Sequence, residues 1–352
     1  MVIRLIEAGT VSHLRSQTIY HGLAYARTEE TPPTIVLATP GEPYVCVGFH
    51  QNIEAEVDLA YCSSQGLPVL RRETGGGAVY LDSNQLFAQW IMGSDQLPAR
   101  VERRFELFLK PLVETYRAFG INAQIRPIND VHVDGRKIVG TGAAHIGNAE
   151  VMVGNFIFDF DKDVMTRILN APSPAFRQQV RESLEQYMTS TREVSGKILD
   201  PQEVAAVYIR ECAKALGKTL EPGSITASEQ ASIELVDQRF CSDEFKQGGD
   251  GLRRPGVKIH EDVYVAETRH NSSGLRVTAR IRSEHLESIT IDGPDDLSSL
   301  CSQILGLPIA RDPITHAVRN WLTQNPAAPF QESILVDSIL DLAKPQPART
   351  TP

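Results

Sequence analysis

Residues 71–82 of the sequence, Arg-Arg-Glu-Thr-Gly-Gly-Gly-Ala-Val-Tyr-Leu-Asp, place fixed positive charge beside backbone that carries no side chains. Because glycine lacks a Cβ, such backbone reaches left-handed angles and can turn its N–H groups toward a ligand lying against the chain. Arg72 offers a planar fork that suits a carboxylate or a phosphate, and the N–H groups of Gly75–Ala78 add neutral donors. The segment therefore predicts an anion site. The alternative is a glycine-rich hairpin turn between surface arginines.

A second stretch, residues 129–142, reads Asn-Asp-Val-His-Val-Asp-Gly-Arg-Lys-Ile-Val-Gly-Thr-Gly. Asp134-Gly135 between two alternating apolar runs predicts a β-hairpin with a two-residue type I′ turn. The pairs that this register predicts are Val133–Arg136, His132–Lys137, Val131–Ile138 and Asp130–Val139. Since side chains alternate along a strand, Asp130 and Lys137 are expected to share a face that is free for a ligand, with the apolar face in the core.

Composition excludes several classes of partner. The formal net charge is −9 and the pI is about 5.5, which argues against general binding to nucleic acid or to an anionic membrane. The apolar run at the amino terminus is too short for a signal sequence, and no segment approaches the length of a bilayer span. We therefore expect a cytoplasmic protein.

The five cysteines are scattered and contain no C-x-x-C pair. This spacing suggests neither a disulfide framework nor a zinc site. We expect all five to be small buried side chains.

A chain of 352 residues favours two domains, because a single core of that size is uncommon. A glycine-rich stretch at 248–256 marks the boundary, which gives domains at 1–245 and 256–343 and a flexible proline-rich tail at 344–352. In the first domain the patterns predict a helix in 13–28, paired strands at 34–38 and 44–48, and a long helix at 101–119 that Pro111 should kink or restart. Residues 163–190 are expected to form a mobile surface segment. In the second domain three strands (257–268, 275–282, 286–291) precede three helices (296–305, 314–322, 332–342).

Taken together, the two glycine-containing stretches resemble the lipoate–protein ligase family, part of the biotin and lipoate ligase superfamily. The matching features are Arg-Arg-x-[Ser/Thr]-Gly-Gly-Gly-Ala-Val at 71–79, Asn129-Asp130, Gly-Arg-Lys-Ile-Val-Gly at 135–140 and Gly-x-x-Gln-Asn at 48–52. The similarity covers roughly residues 1–225, and the order and spacing of the motifs agree. Residues 256–342 resemble the accessory carboxy-terminal domain of some of these ligases.

The resemblance implies an α+β fold: a catalytic domain with a mixed sheet like that of class II aminoacyl-tRNA synthetases and biotin synthetases, followed by a small α+β domain. It implies two half-reactions, in which lipoate and ATP form lipoyl-AMP and a lysine of an acceptor protein then takes the lipoyl group. ATP and Mg²⁺ are the implied cofactors, and a monomer is expected. Candidate acceptors are an H-protein-like protein, a lipoyl domain of a 2-oxoacid dehydrogenase, or a dedicated lipoate carrier.

The resemblance also assigns residues. Lys137 is the catalytic candidate, bonded to the acyl carboxyl and the α-phosphate. Asp130 is the candidate for Mg²⁺ or the nucleotide, with a simple ion pair to Lys137 as the alternative. The remaining candidates for adenylate and substrate binding are Arg72, Thr74, Gly75, Gly76, Gly77, Ala78, Val79, Asn129, Gly140, Thr141, Gly142 and Gly154.

At three positions the sequence departs from the family pattern. Leu81 and Val153 stand where many members have histidine, and Ala144 stands where an arginine is frequent. The first two changes should make the acyl pocket less polar, and the third removes one phosphate contact.

Two other functions remain open from the sequence. A cofactorless transferase that moves octanoyl or lipoyl groups needs a reactive thiol near the lysine motif, but no cysteine lies between Cys62 and Cys212. A non-catalytic lipoate-binding regulator would keep the pocket and lose the chemistry. Biotin ligation is disfavoured, because the Arg-Gly-Arg glycine-loop pattern of biotin ligases is missing.

Overall fold

The structure, a computed structural model, describes residues 2–248, 256–260, 262–270 and 273–344. By its contacts the chain divides into two units, Met1–Ile168 with Met188–Asp250, and Leu169–Tyr187 with Gly251–Pro352. The predicted domains 1–245 and 256–343 stay a prediction, and the structure groups residues 169–187 with the second unit. Most of the predicted linker (249–255) and the predicted flexible tail beyond Lys344 lie outside the described residues.

The strands, numbered in chain order, are β1 (Ile3–Val11), β2 (Thr34–Pro40), β3 (Tyr44–Val47), β4 (Val69–Arg71), β5 (Val79–Leu81), β6 (Gln85–Met92), β7 (Gln124–Arg126), β8 (Asp130–Val133), β9 (Arg136–Val139), β10 (Thr141–Ile146), β11 (Ala149–Ile157), β12 (Leu220–Pro222), β13 (Val257–His260), β14 (Val263–His270), β15 (Leu275–Arg282) and β16 (His285–Asp292).

The α-helices are α1 (His13–Ala26), α2 (Ile53–Glu56), α3 (Leu59–Ser64), α4 (Val101–Ala118), α5 (Lys162–Ile168), α6 (Pro174–Tyr187), α7 (Thr191–Ser195), α8 (Pro201–Leu216), α9 (Ala227–Cys241), α10 (Asp243–Gln247), α11 (Ser298–Ile304), α12 (Arg311–Gln324) and α13 (Glu332–Leu340). Short 3₁₀ helices lie at Ser94–Gln96 and Asp341–Ala343. Among the described residues, no helix combines the length and the apolar character needed to cross a bilayer.

A mixed sheet of order β10-β11-β6-β2-β1-β12 is the centre of the first unit. β1 runs parallel to β2 and β12, and the other neighbours are antiparallel. One face packs on α4 and α8 and the other on α1, so the central strands bury side chains on both faces. Burial on both faces explains why these strands read as continuous apolar runs. The predicted α+β fold with a mixed sheet is confirmed.

The predicted pairing of strands 34–38 and 44–48 is wrong. β2 lies between β1 and β6, so it has no free edge, and β3 instead forms a separate sheet of order β4-β3-β5. The strand that carries Arg71 and the strand that begins at Val79 are therefore both neighbours of β3. This small sheet holds the two ends of the glycine segment, residues 72–78, which we call the glycine loop.

The predicted hairpin register holds only near the turn. His132 pairs with Lys137 and Val133 with Arg136, but Val131 pairs with Val139, because a β-bulge inserts Ile138. The bulge lets both Ile138 and Val139 reach the core, where they are fully buried. α4 continues through Pro111, so the helix does not restart there, and a kink at Pro111 stays a prediction. The expectation that all five cysteines are buried is wrong, because Cys241 is exposed and Cys301 is half-buried.

The second unit contains an antiparallel sheet of order β13-β14-β15-β16, whose core residues pack on α11, α12 and α13. The expected strand 257–268 is two strands, β13 and β14. Helix α6 also contacts β13, β14 and β15 and buries Phe176, Val180 and Leu184. The expectation of a mobile surface segment at 163–190 is therefore wrong for α6, whose apolar stripe is part of a packed core.

We predict that a chain ending at Gln247 will bind a hydrophobic dye and unfold at lower temperature than the full chain. Such a chain keeps α6 but loses the strands against which its apolar stripe packs, so large apolar side chains become exposed. The control is the same shortened chain with Phe176, Val180 and Leu184 changed to glutamine, which should bind less dye. Equal dye binding by the shortened and full chains would contradict this assignment of α6.

Candidate functional site

A cavity with about 540 Å³ of empty space, its open mouth included, lies in the first unit. The lining residues are Gln17, Tyr20, Arg72, Val79, Leu81, Phe87, Gln89, Gly140, Thr141, Gly142, Val153, Gly154 and Asn155. They come from α1, the glycine loop, β5, β6 and the edge pair β10–β11 of the main sheet.

One wall of the cavity is apolar. It contains Val79 and Leu81 of β5, Phe87 of β6 and Val153 of β11. Both Leu81 and Val153 face this space, so the two positions that depart from the family pattern supply aliphatic surface. The wall is suited to a hydrocarbon chain.

A Cβ would be crowded at two glycines that line the cavity. A Cβ on Gly154 would lie 3.0 Å from the Phe108 ring, and a Cβ on Gly142 would lie 3.2 Å from Thr74 Oγ1. Asn155 fixes the neighbouring backbone, since its Oδ1 accepts from Gly140 N–H at 2.7 Å. Thr141 donates its hydroxyl to the carbonyl of Asn129 at 2.7 Å, which attaches the start of β10 to the chain before β8.

Hydrogen bonds from the Arg72 side chain hold the glycine loop in its shape. Its Nη1 donates to Cys46 O at 3.1 Å, and its Nη2 donates to Gly75 O and Gly77 O at 2.9 Å each. Gly76 has φ +105°, and a Cβ there would lie 2.8 Å from Arg72 Nη2. Three of the five guanidinium N–H groups of Arg72 are bound by carbonyl oxygens and Arg72 also lines the cavity, so its expected contact with a ligand stays a prediction.

Two carbonyls of the glycine loop, those of Gly75 and Gly77, accept from Arg72, and that of Thr74 accepts from Phe49 N–H. In the described part of the chain, the N–H groups of Gly75, Gly76 and Gly77 donate no hydrogen bond. Several unpaired N–H groups in successive glycines form a concavity that attracts anions. The predicted anion donors are thus present in the backbone.

Arg71 holds the strand that leads into the loop. Its side chain is 1% exposed and donates only to main-chain carbonyls, those of Gly48, Phe49, Gln51, Phe245 and Lys246, at 2.5–3.3 Å. A buried cation is tolerated when its donors are satisfied in this way. A Cβ on Gly48 would lie 2.1 Å from Gly76 O, so the 48–52 corner, which resembles the family's, packs directly on the glycine loop.

A buried polar cluster on α1 borders the cavity, and the sequence analysis missed it. Tyr44 OH contacts Ser16 Oγ and Gln17 Nε2 at 2.7 Å each, and Tyr20 donates to Gln17 Oε1 at 3.0 Å. Burial raises the pKa of Tyr20 and of Tyr44 well above the ordinary value, so both phenols stay protonated. The sequence signal for this cluster is the set of polar side chains on the buried side of α1. The helix itself was predicted from its apolar residues alone.

Lys137 and Asp130 form an ion pair, Nζ to Oδ1 at 2.6 Å, beside the cavity. The Asp130 side chain is 2% exposed and that of Lys137 15%. The expectation of a freely exposed face is therefore wrong. The segment after α6 pairs with β9: Met188 forms a parallel bridge with Lys137, and Thr189 N–H donates to Lys137 O at 2.9 Å.

Burial on its own would raise the pKa of Asp130, but the contact with His132 and the charge of Lys137 outweigh it. The pKa of Asp130 is held well below its usual range. Within the described residues, no group of three or more His, Cys, Asp or Glu side chains could hold a metal ion. Asp130 is thus the ion-pair partner of Lys137, and its assignment to Mg²⁺ stays a prediction.

Of the residues predicted from the sequence, Arg72, Val79, Gly140, Thr141, Gly142 and Gly154 line the cavity. Thr74, Gly75, Gly76, Gly77, Ala78, Asn129, Asp130 and Lys137 are not among its lining residues. Gln17, Tyr20, Phe87, Gln89 and Asn155 line it and were not predicted. Their roles in binding stay predictions.

We predict that Lys137→Ala will lower the free energy of unfolding by about 3 kcal/mol, because it leaves a buried carboxylate without its cation. The double variant Asp130→Asn, Lys137→Ala should regain most of that stability. Urea unfolding of the three proteins measures both effects. An unchanged midpoint for Lys137→Ala would show that the pair is not buried in solution.

The pH dependence of stability should report the same pair. Because the folded pKa of Asp130 lies below its unfolded value of about 3.9, its contribution is complete above about pH 4 and is lost as the pH falls below that. We expect Asp130→Asn to show a smaller loss of unfolding free energy between pH 5 and pH 3 than the unchanged protein. Parallel pH profiles for the two proteins would be the opposite result.

Comparison with known proteins agrees with this architecture. The sequence model of the family described as "Lipoyl protein ligase A/B catalytic domain" matches residues 17–213. Octanoyltransferase LipM of Kyrpidia tusciae is 26% identical over 266 residues, which cover 69% of this chain and 97% of that protein.

Two solved structures share the fold. One is a bipartite lipoate protein ligase, studied with its E2 lipoyl domain, from Thermoplasma acidophilum (TM-score 0.65, 24% identity, 71% of this chain and 97% of that one). The other is lipoate-protein ligase A bound with ATP (TM-score 0.61, 21% identity, 71% of this chain and 100% of that one). Since the family model matches more than half of the chain, this protein belongs to the lipoyl protein ligase A/B catalytic-domain family.

Proposed function

We propose that this protein is an ATP-dependent lipoate–protein ligase. It activates lipoate as lipoyl-AMP and transfers the lipoyl group to a lysine of an acceptor protein. The observation that carries the proposal is the glycine loop, whose N–H groups are unpaired in the described structure, beside an apolar cavity that no cysteine lines.

In the first half-reaction a carboxylate oxygen of lipoate attacks the α-phosphorus of ATP, an acyl–phosphate bond forms and pyrophosphate leaves. Two anions must approach, so positive charge and fixed donors lower the barrier. The N–H groups of Gly75–Gly77 are suited to the phosphate side. Lys137 is suited to the carboxylate side once its ammonium shares contacts between Asp130 and the substrate.

In the second half-reaction the neutral amine of an acceptor lysine attacks the acyl carbon. The anhydride bond breaks, AMP leaves and the amine loses a proton. The nucleophile comes from the acceptor, so this chain has only to hold and polarise the acyl phosphate. Lys137 thus acts through charge and positioning.

The apolar wall of Val79, Leu81, Phe87 and Val153 suits the hydrocarbon part of the substrate. Both lipoate and octanoate present such a chain, so the wall does not select one of them. The Mg²⁺ assigned to Asp130 is not part of the proposal, because that carboxylate is engaged by Lys137.

A cofactorless octanoyl or lipoyl transferase is the second candidate, favoured by the similarity to an octanoyltransferase. That route forms a thioester on a reactive thiolate of the enzyme. Cys46, whose carbonyl accepts from Arg72 Nη1, is fully buried, and burial raises the pKa of its thiol. Cys62 is also buried, and its pKa is raised to about 11. These thiols are poor nucleophiles, which supports the ATP-dependent route.

The acceptor is proposed by analogy with the related ligase that was studied with an E2 lipoyl domain. A lipoyl domain of a 2-oxoacid dehydrogenase is the first choice, with an H-protein-like protein or a dedicated carrier as the alternatives. A cytoplasmic location, a monomeric state and the absence of nucleic-acid or membrane partners stay predictions.

We predict that pyrophosphate release will require both lipoate and ATP and will be unaffected by Cys46→Ser. Octanoate is the substrate control and biotin the negative control. ATP-independent transfer of an octanoyl group from a carrier protein, abolished by thiol alkylation, would instead establish the transferase. Labelled lipoate, ATP and cell extract would then identify the acceptor lysine.

A further inference from the structure

The segment from Thr226 to Gly248 lies beyond the residues that the family model matches, yet it contacts the start of the glycine loop. Helix α9 packs along α1, where a Cβ on Gly22 would lie 2.5 Å from Ile233. That close crossing fixes α9 against the main body of the unit. Three separate contacts then join α1, α9 and α10 to residues 71–73.

The first contact is an ion pair between Arg239 of α9 and Glu73. Arg239 Nη2 lies 2.6 Å from Glu73 Oε1, and the Glu73 side chain is only 9% exposed. Tyr25 OH donates to Glu73 at 2.9 Å and accepts from Arg239 Nη1 at 2.9 Å. The Arg239 guanidinium also lies 4.8 Å from the centre of the Phe245 ring. The ion pair is thus part of a network, and such pairs are stronger than isolated surface ones.

The second contact joins α10 to Arg71. The carbonyls of Phe245 and Lys246 accept from Arg71 Nε and Nη2 at 3.0 and 2.8 Å. Phe245 itself stacks on Phe240 of α9, with ring centres 4.5 Å apart. The position of α10 therefore depends on α9.

The third contact is made by His21 of α1, whose ring packs edge-on against Phe240 at 4.7 Å. Its Nδ1 lies 2.7 Å from Gln17 O, so that nitrogen donates. Its Nε2 then accepts from Glu73 N–H at 3.2 Å. Burial lowers the pKa of His21 to about 3, which keeps the ring neutral and the acceptor available.

We propose that Arg239 is a positioning residue for the nucleotide half-reaction: helices α9 and α10 act as a clamp that holds the glycine loop in its anion-binding conformation through Arg239–Glu73 and Arg71. The proposal rests on the proposed function, because the loop binds nucleotide phosphate only in that reaction. Arg239 itself touches no substrate. Its effect passes through Glu73, which directly precedes Thr74 and the three glycines.

The chain offers a matched control. Arg15 of α1 forms an ion pair with Asp237 of α9 at 2.8 Å, so it also joins the two helices but does not contact the loop. Arg239→Gln and Arg15→Gln are the same chemical change, and each removes one ion pair that involves α9. A purely structural role of α9 would make the two variants behave alike.

The test compares, in the full-length chain, the KM for ATP and hydrogen exchange at Phe49 and Glu73, whose N–H groups donate to Thr74 O and His21 Nε2. For Arg239→Gln we expect exchange about fivefold faster and a KM for ATP about fivefold higher, with an unchanged KM for lipoate. Arg239→Lys should restore part of both. Arg15→Gln should match the unchanged protein in both measurements while its melting temperature falls as much as that of Arg239→Gln.

Equal exchange and equal KM values in Arg239→Gln and Arg15→Gln would overturn the clamp. The exchange measurement needs no substrate. If the unchanged protein releases no pyrophosphate, the proposed ligase function fails, and the exchange rates still decide whether α9 holds the loop.

Discussion

Two guanidinium groups bound by main-chain carbonyls are the constraint on which the site depends. Arg71 and Arg72 direct eight hydrogen bonds to backbone oxygens, five from Arg71 and three from Arg72. A buried cation without such partners would be strongly destabilising, so the loops that supply the carbonyls must take up one arrangement. These hydrogen bonds thereby connect the glycine loop, the 48–52 corner and helix α10.

Arg72 binds two carbonyls of the glycine loop, whereas the N–H groups of Gly75–Gly77 donate no hydrogen bond in the described structure. Under the proposed function these N–H groups bind the phosphate. Fixed main-chain dipoles need no reorganisation when charge develops, which is the condition for electrostatic catalysis. The apolar wall of β5, β6 and β11 belongs to the cavity that Arg72 also lines, so under the proposed function an amphipathic acid has a place for both of its ends.

The sequence was informative where local chemistry decides the structure. The Asp134-Gly135 turn follows from turn preferences and occurs as predicted, with φ +50° at Asp134 and +77° at Gly135. The pairing partners of β2 and β3 could not be predicted, because apolar runs alone do not state which edge each strand occupies. The bulge at Ile138 could not be predicted for a similar reason, because it depends on the burial of two adjacent side chains.

The cavity-lining residues on α1 were not predicted, because polar side chains in a helix normally indicate a solvent-exposed face, whereas these point inward. The carbonyl partners of Arg72 could not be predicted either, because they come from two separate chain segments, which spacing does not show. The paired state of Lys137 and Asp130 was one of two alternatives from the sequence, and the geometry selects the ion pair.

A structure of the protein with a non-hydrolysable lipoyl-adenylate analogue tests the central claim most directly. The account predicts the phosphate mimic on the N–H groups of Gly75–Gly77 and the hydrocarbon chain between Leu81 and Val153, with the carbonyl contacts of Arg72 retained. A phosphate mimic bound by the guanidinium of Arg72, with its carbonyl contacts broken, would contradict the account.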